Sequence, residues 1–218
     1  MTAKKMNKAH HPDDATLASY AAGSVERNFS VVLDIHIQDC VQCQQRITAA
    51  EHLGATLIKL MPAVDLDVGF KERLFALLDQ PMPEQASVSP TALTILPDFI
   101  TDWEHTDPDQ LAWKRMGPGI RYLPLPSTHG QLYMLRIAPG TCLPEHGHQG
   151  NELTLVLSGS YSDEIGRFTP GCIADLDDQV EHQPIADRNE DCICLVATDA
   201  PLRFHGWVPR LFQSYFKI

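Results

Sequence analysis

Hydrophobic residues in the first 80 positions recur at steps of three and four, which is the spacing of an amphipathic α-helix. The clearest run begins at Val25 and continues through Phe29, Val32 and Ile37. The pattern predicts four helices, over residues 15–22, from residue 25 to near residue 39, over residues 40–52 and over residues 69–78. We expect Gly23 and Gly54 to end the first and third helices, and Ser24 to cap the second.

The pattern changes beyond residue 90, where short apolar runs rich in β-branched residues lie between Gly, Pro and Asp. These runs are LTILPDFI (93–100), QLYMLRIA (131–138), LTLVLSG (153–159) and CICLVAT (192–198). Short strands with frequent turns predict a β-sandwich or a small barrel.

A stretch between the two patterns, DQPMPEQASVSP, has three prolines and no periodicity. We expect a linker at residues 81–92, between a helical domain of residues 1–80 and a β domain of residues 93–218.

Composition narrows the classes of function. Lys and Arg total 17 and Asp and Glu total 28, which gives a net charge of −11 and argues against a broad basic surface for nucleic acid. An acidic protein can still bind a basic protein partner. The chain has no stretch of about 18 apolar residues and no secretory leader pattern at its start, so we expect a cytoplasmic protein without a membrane segment.

One candidate for metal binding is the segment HIQDCVQC, which spaces His36, Cys40 and Cys43 as His-x3-Cys-x2-Cys. Thiolate and imidazole groups at such short spacing suit zinc. One unbroken helix would separate the first and last of them by about 10.5 Å. We therefore expect the helix to break near Asp39, which would cap the next helix.

A closed zinc site needs a fourth ligand, and His10 and His11 are the nearest candidates. The alternative is that Cys40 and Cys43 are core residues and that His36 lies at the surface. A redox CxxC motif is a weaker competitor, because the βαβ setting that usually carries it is missing.

The second candidate lies in the β region, within GTCLPEHGHQGNELTLVLSGS (140–160). Residues two apart on a strand face the same side, so His146 and His148 can point inward together. Glu152 begins the next predicted strand, and His182 follows thirty residues later. Three imidazoles and a carboxylate suit zinc, iron, manganese or nickel, and the spacing does not choose among them.

Both segments resemble known families. The second resembles the first motif of the cupin superfamily, and Pro170-Gly171 with His182-x-Pro184 resembles the second motif in a looser form. YAAGS (20–24) and HIQDCVQC together resemble the zinc-binding anti-sigma domain. In this order the two segments resemble the ChrR-type anti-sigma factors of bacteria across nearly the whole chain. The resemblance implies an α+β two-domain fold, with a small zinc-binding helical bundle followed by an all-β cupin barrel of the jelly-roll type.

The resemblance also implies a function without enzymatic activity. Proteins of that type hold an extracytoplasmic-function sigma factor inactive and release it under singlet oxygen or organic peroxide stress, with the cupin domain as the input. The implied zinc ligands are His11, favoured over His10 by counting back from YAAG, with His36, Cys40 and Cys43. The implied ligands of a divalent metal in the cupin domain are His146, His148, Glu152 and His182.

The rival hypothesis is a metal-dependent cupin enzyme, either a dioxygenase or an isomerase, because an open coordination position allows Lewis-acid or O2 chemistry. The N-terminal zinc segment argues against it, since a simple cupin enzyme has no need of one. The cysteines of the second half, above all Cys192 and Cys194, can be redox inputs or core residues. Their apolar neighbours favour packing in the core.

Overall fold

The computed structural model describes residues 10–79, 100 and 102–204. Four α-helices lie in the N-terminal part, namely α1 (Asp14–Ala21), α2 (Arg27–Asp39), α3 (Val41–Leu60) and α4 (Phe70–Leu78). They confirm the helices that the periodicity predicts. The predicted linker, and the predicted strand at 93–100 apart from its last residue, lie outside the described residues. The boundaries of the two domains stay predictions.

The predicted end of the third helix is wrong, because α3 continues through Gly54 to Leu60. A glycine inside a helix costs about 1 kcal/mol, which the remaining backbone hydrogen bonds of a long helix outweigh. The helix stops where Met61 adopts an extended backbone with ψ of 144°. Met61 precedes Pro62, and the proline ring disfavours the helical conformation of the residue before it.

Two predicted helix caps are also wrong. Glu26 occupies the cap position of α2, whereas the Ser24 hydroxyl donates to the Ser19 carbonyl at the end of α1. The predicted break between α2 and α3 is confirmed, but Cys40 rather than Asp39 caps α3, because Asp39 is still the last residue of α2. Cys40 has an extended backbone, with φ of −110° and ψ of 92°.

Antiparallel strands build the C-terminal part, which confirms the predicted α+β fold class. Two 3-10 turns precede them, η1 (Trp103–His105) and η2 (Pro108–Gln110). The strands are β1 (Lys114–Gly117), β2 (Ile120–Pro124), β3 (Gln131–Ile137), β4 (His146–His148), β5 (Glu152–Ser158), β6 (Tyr161–Ser162), β7 (Arg167–Phe168), β8 (Ile173–Leu176), β9 (Glu181–His182), β10 (Ile185–Ala186), β11 (Cys192–Thr198) and β12 (Leu202–Phe204). A six-stranded sheet has the order β1-β2-β3-β11-β5-β8. The order is β10-β6-β7 in one smaller sheet and β12-β4-β9 in another.

Strand β11 lies at the centre of the large sheet, and all seven of its residues are buried. Because successive side chains of a strand point to opposite faces, β11 contributes to two separate cores. Ile193 and Leu195 belong to the core that the helices cover, and Cys192 and Cys194 belong to the core on the opposite face. The two cysteine sulfurs are 3.7 Å apart in that core.

Helix α2 packs directly against β5 and β11, so the helical part and the sheet share one core. This shared core contains apolar side chains from both parts, among them Phe29, Val32, Leu33, Met134, Leu155 and Leu195. At its edge, the Asn28 amide donates to the Thr198 carbonyl at 2.8 Å. The position of α2 relative to the sheet is therefore fixed by both apolar packing and hydrogen bonding.

Candidate metal centres

The first candidate centre forms where α2 ends and α3 begins. His36 lies in the last turns of α2, Cys40 lies at the break and Cys43 lies in the first turn of α3. The segment before α1 brings His11 to the same place. One ligand atom from each of these four residues lies within 4.8 Å of the other three. We call this set the zinc group, after the ion that the sequence predicts for it.

Distances within the zinc group suit a tetrahedral ion. His36 Nε2 is 3.3 Å from Cys43 Sγ, and His11 Nδ1 is 3.3 Å from Cys40 Sγ and 3.5 Å from Cys43 Sγ. Tetrahedral zinc, with bonds of about 2.3 Å to sulfur and about 2.0 Å to nitrogen, separates such ligands by about 3.5 Å. Burial, and next the neighbouring Cys40 thiol, raise the pKa of Cys43 to about 12, so without a cation this thiol stays protonated. These four residues can hold a metal ion.

The β part orients one ligand of the zinc group. His36 Nδ1 lies 2.9 Å from the Gly171 carbonyl oxygen, to which it donates its proton. Because the proton is on Nδ1, the lone pair of His36 is on Nε2, the nitrogen that faces Cys43. This is the tautomer in which Nε2 can bind a metal ion. His10 points elsewhere, and its ring stacks on Phe168 with 4.2 Å between ring centroids. The structure thus places His11, and not His10, beside the two cysteines.

The second candidate centre lies in the β part. His146 and His148 lie on β4, and His182 lies on β9 directly opposite His146. All three imidazoles are buried, and one nitrogen from each lies within 4.8 Å of the other two. We call these three residues the barrel group, and they can hold a metal ion.

Hydrogen bonds fix the tautomers of two members of the barrel group. His146 Nδ1 donates to the Pro144 carbonyl at 2.9 Å, and His182 Nδ1 donates to Asp163 Oδ2 at 2.9 Å. Their Nε2 atoms therefore present lone pairs to each other at 3.1 Å. Two lone pairs repel at this distance unless a cation lies beside both. A metal ion about 2.1 Å from two nitrogens holds them about 3.0–3.4 Å apart, so the observed separation fits.

The third member, His148, supports the same conclusion. Neither of its buried ring nitrogens makes a hydrogen bond in the described part of the chain. Burial lowers the pKa of His148, and burial followed by repulsion from His182 lowers the pKa of His146 from 6.5 to about 4. Both rings are therefore neutral near pH 7 and are ready to bind a metal without first losing a proton.

Glu152 lies next to the barrel group and is not part of it by distance. The Thr154 hydroxyl donates to Glu152 Oε1 at 2.8 Å, and Glu152 Oε2 is 3.5 Å from His148 Nδ1. The assignment of Glu152 as a ligand stays a prediction.

Two groups position ligands in ways that the sequence did not predict, namely the Asp163 carboxylate, which lies outside the motifs, and the carbonyl of Gly171, whose residue belongs to the second motif. The Asp163 side chain has no exposed surface, and Oδ1 accepts the backbone N–H groups of Ile165 and Gly166. Burial raises the pKa of Asp163, but the hydrogen bonds from His182 and from these two N–H groups outweigh it and hold the pKa below its ordinary value. Asp163 is thus a carboxylate that can orient His182 as a ligand.

Among the described residues, no helix has both the length and the apolar character needed to cross a membrane.

Residues 102–201 match the family described as the ChrR Cupin-like domain. A chain in the crystal structure of Rhodobacter sphaeroides SigE in complex with the anti-sigma ChrR shares 36% identity and a TM-score of 0.67 with this chain. That match covers 88% of this chain and 100% of the other.

The anti-sigma-E factor ChrR of Cereibacter sphaeroides is 39% identical to this chain over 215 residues. The matched region is 98% of this chain and 100% of that protein. The family match in the β part and the structural likeness agree with this alignment. With this identity over almost all of both sequences, the chain belongs to the ChrR family of anti-sigma factors.

Proposed function

We propose that this chain binds an extracytoplasmic-function sigma factor, keeps it inactive, and releases it in response to singlet oxygen or organic peroxide. The observation that carries the proposal is an apolar surface on α3 and α4 that nothing in the described part of the chain covers. The ChrR relatives, one of which was crystallised with SigE, support a sigma factor as the partner.

The apolar surface begins in the second half of α3 and continues through α4. Its members are large hydrophobic side chains that are exposed, namely Leu53, Leu57, Ile58, Leu60, Met61, Val64, Leu66, Val68, Phe70, Leu74, Phe75, Leu77 and Leu78. Exposed apolar surfaces of this extent mark sites of protein association. Burying this surface against the sigma factor would occlude the regions of sigma that contact RNA polymerase.

Two metal ions are part of the proposal. Zinc is held by His11, His36, Cys40 and Cys43, whose donor set and spacing suit it. A divalent metal, for which zinc is our choice ahead of iron, manganese or nickel, is held by His146, His148, Glu152 and His182. Zinc at the junction of α2 and α3 would fix the angle at which α3 presents the apolar surface, because short helices alone bury too little core.

The proposed extents of the two domains are residues 1–80 and 93–218, joined by a linker at 81–92, and the proposed location is the cytoplasm, where sigma factors act. The rival enzyme hypothesis is disfavoured because the relative that matches almost the whole chain is named as an anti-sigma factor. In our proposal, the residues of the barrel group bind and orient a metal ion for signal detection, and none of them is catalytic.

The test is purification of the tagged full-length chain from unstressed native cells, with bound proteins identified by mass spectrometry. We expect one stoichiometric partner of sigma-factor size, which should lose activity in reconstituted transcription when this chain is added. Absence of such a partner from cells that make the sigma factor would contradict the proposal.

Variants of matched exposure locate the interface. Leu74 on α4 is 47% exposed and Ile185 on β10 is 45% exposed, so Leu74→Asp and Ile185→Asp place the same charge at equally exposed apolar sites. Leu74→Asp should weaken sigma binding at least tenfold and leave the melting temperature unchanged. Ile185→Asp should bind like the unmodified chain, and equal binding by both variants would place the interface elsewhere.

A further inference from the structure

Residues 163–173 form one continuous stretch that contacts both metal groups, and we call it the connecting segment. It comprises the β6–β7 turn, β7 and the turn into β8. Its first residue, Asp163, holds His182 of the barrel group. Its later residues contact the two stretches of chain that supply the zinc group.

Contacts near the middle of the connecting segment hold the chain beside His11. A methyl group added at Gly166 would lie 3.0 Å from His10 Cε1, so the His10 ring packs closely on the backbone of this turn. The ring also stacks on Phe168. At the end of the segment, the Ile173 N–H donates to the His10 carbonyl at 3.2 Å. These contacts set the position of His11, since it is the next residue along the chain.

The connecting segment also reaches the zinc group directly through the Gly171 carbonyl, which accepts the proton of His36 Nδ1. Two of the four zinc ligands are therefore oriented by the same stretch of chain. Asp163 anchors that stretch at its far end, because one carboxylate oxygen accepts from His182 and the other accepts from the backbone of the turn.

We infer that Asp163 is a positioning residue that couples the two groups, so that a disturbance of His182 is passed along residues 163–173 to His11 and His36. This inference rests on the proposed metal centres, and it adds the route by which the β part acts on the helical part. When His182 changes position, Asp163 loses its partner and the turn loses one of its anchors, the other being the Glu164 carboxylate that accepts from the Gln183 N–H. The packing of His10 on the turn then loosens, and the zinc ligands are held less firmly.

The test uses the full-length chain loaded with Co²⁺. Absorption from thiolate-to-cobalt charge transfer arises only where cysteine ligates the metal, so it reports on the zinc group and not on the histidines of the barrel group. The loss of this absorption after addition of EDTA gives the rate of metal release. Asp163→Asn conserves the volume of the side chain, but it replaces one carboxylate oxygen by an NH2 group, which cannot accept a hydrogen bond. Either the bond from His182 or the bonds from the backbone of the turn are therefore lost.

We expect Asp163→Asn to release cobalt from the thiolates about tenfold faster than the unmodified chain, which corresponds to about 1.4 kcal/mol. His182→Gln should have a similar effect. The double variant should release cobalt no faster than either single variant, because both substitutions break the same hydrogen bond between Asp163 and His182. Asp107→Asn controls for the substitution itself. Asp107 also accepts from a backbone N–H and from a side chain, but it is exposed and both of its partners lie in η2, so its variant should release cobalt at the unmodified rate.

His10→Ala removes the stacked ring and leaves the barrel group and its hydrogen bonds in place. In this background Asp163→Asn should accelerate release by clearly less than tenfold, because only the link through Gly171 to His36 and the backbone bond of Ile173 remain. This result distinguishes transmission through the His10 ring from general loosening of the fold. An unchanged release rate in Asp163→Asn would overturn the inference, as would full additivity of the His10→Ala and Asp163→Asn effects. Failure of the proposed zinc centre is seen separately, because an unmodified chain without any thiolate-to-cobalt absorption contradicts that centre itself.

Discussion

The shared core of α2 and the sheet predicts that one leucine on α2 supports both parts of the molecule. Leu33 has no exposed surface and packs in the core that includes Leu155 and Leu195. Replacing a fully buried leucine by alanine removes its apolar contacts and leaves a cavity, and the cost is about 3 kcal/mol within a range of about 2–5. Leu33→Ala should therefore lower the free energy of unfolding by about 3 kcal/mol.

The control is the same substitution at Leu57 of α3, which is 57% exposed. Leu57→Ala removes the same atoms from a helix without opening a cavity, so its cost should stay within about 0.5 kcal/mol. Leu57 also lies on the proposed sigma interface, whereas Leu33 is buried. Leu57→Ala should thus weaken sigma binding with little loss of stability, and Leu33→Ala should show a large loss of stability.

The assay is urea unfolding, followed in parallel by helical circular dichroism and by tryptophan fluorescence. Trp103 and Trp113 are partly buried against the shared core, so their emission reports on the β side. In Leu33→Ala the urea midpoints measured by the two signals should fall by the same amount. A shift of the helical signal alone, with the fluorescence midpoint unchanged, would refute the shared core. It would indicate that the helices unfold independently of the sheet.

Three further predictions concern single residues. Between pH 6.5 and about 4, His146 is protonated in the unfolded chain and neutral in the metal-free folded chain, so the folded state binds fewer protons and loses stability as pH falls. By pH 5 the loss should be about 2 kcal/mol in chemical denaturation with chelator present, and an equally steep pH profile in His146→Gln would contradict this origin. Cys40→Ser should lower the zinc content by about one ion per chain in elemental analysis, and an unchanged content would contradict its role as a ligand. Gly159→Ala should cost at least about 2 kcal/mol, because φ is +68° and the added methyl would lie 2.3 Å from the Asp191 carbonyl oxygen. Gly54→Ala, inside α3 with open space around it, should raise stability by about 0.5–1 kcal/mol, and equal thermal shifts for the two alanines would argue against the strain.

Periodicity in the sequence was sufficient to predict the helices and the main strands, because each has a clear apolar pattern. It did not predict that α3 continues beyond Gly54. A glycine only lowers the stability of a helix, whereas Pro62 disfavours the helical conformation of the residue before it, so the helix ends just before the proline. It also left open what the apolar face of α2 packs against. An amphipathic pattern shows that a face must be buried, but the β5 and β11 surface that buries it lies more than 100 residues away in sequence.

Short spacing marked most of the candidate ligands, because zinc and other metals require particular side chains at short intervals. The choice of His11 over His10 came from the family resemblance, and His182 lies thirty residues beyond Glu152. The groups that position those ligands were not marked in this way. A backbone carbonyl such as that of Gly171 has no sequence signature, and it is separated from His36 by 135 residues. Asp163 is one acidic residue among 28, and only its burial and its contact with His182 distinguish it.

The proposed release of sigma could be triggered by loosening the contact between the two parts or by direct oxidation of the thiolates. A comparison of the free energies that the two routes require favours the first. Structural zinc contributes about 10–16 kcal/mol of binding free energy in small zinc domains, so its thiolate ligands are strongly held. Cys40 and Cys43 are also almost fully buried, which keeps an oxidant away from their sulfurs. Oxidation of these thiolates is therefore opposed both by zinc binding and by burial. One charge-assisted hydrogen bond, such as that between Asp163 and His182, is worth about 1.5–3 kcal/mol. A change of that size shifts a conformational equilibrium by about 10- to 150-fold. Such a shift is enough to change the fraction of molecules in which α3 and α4 are positioned to bind sigma. If sigma release in oxidised samples instead required Cys40 and persisted in full in Asp163→Asn with an empty barrel group, the thiolates would be the sensor and this ordering of the two routes would be wrong.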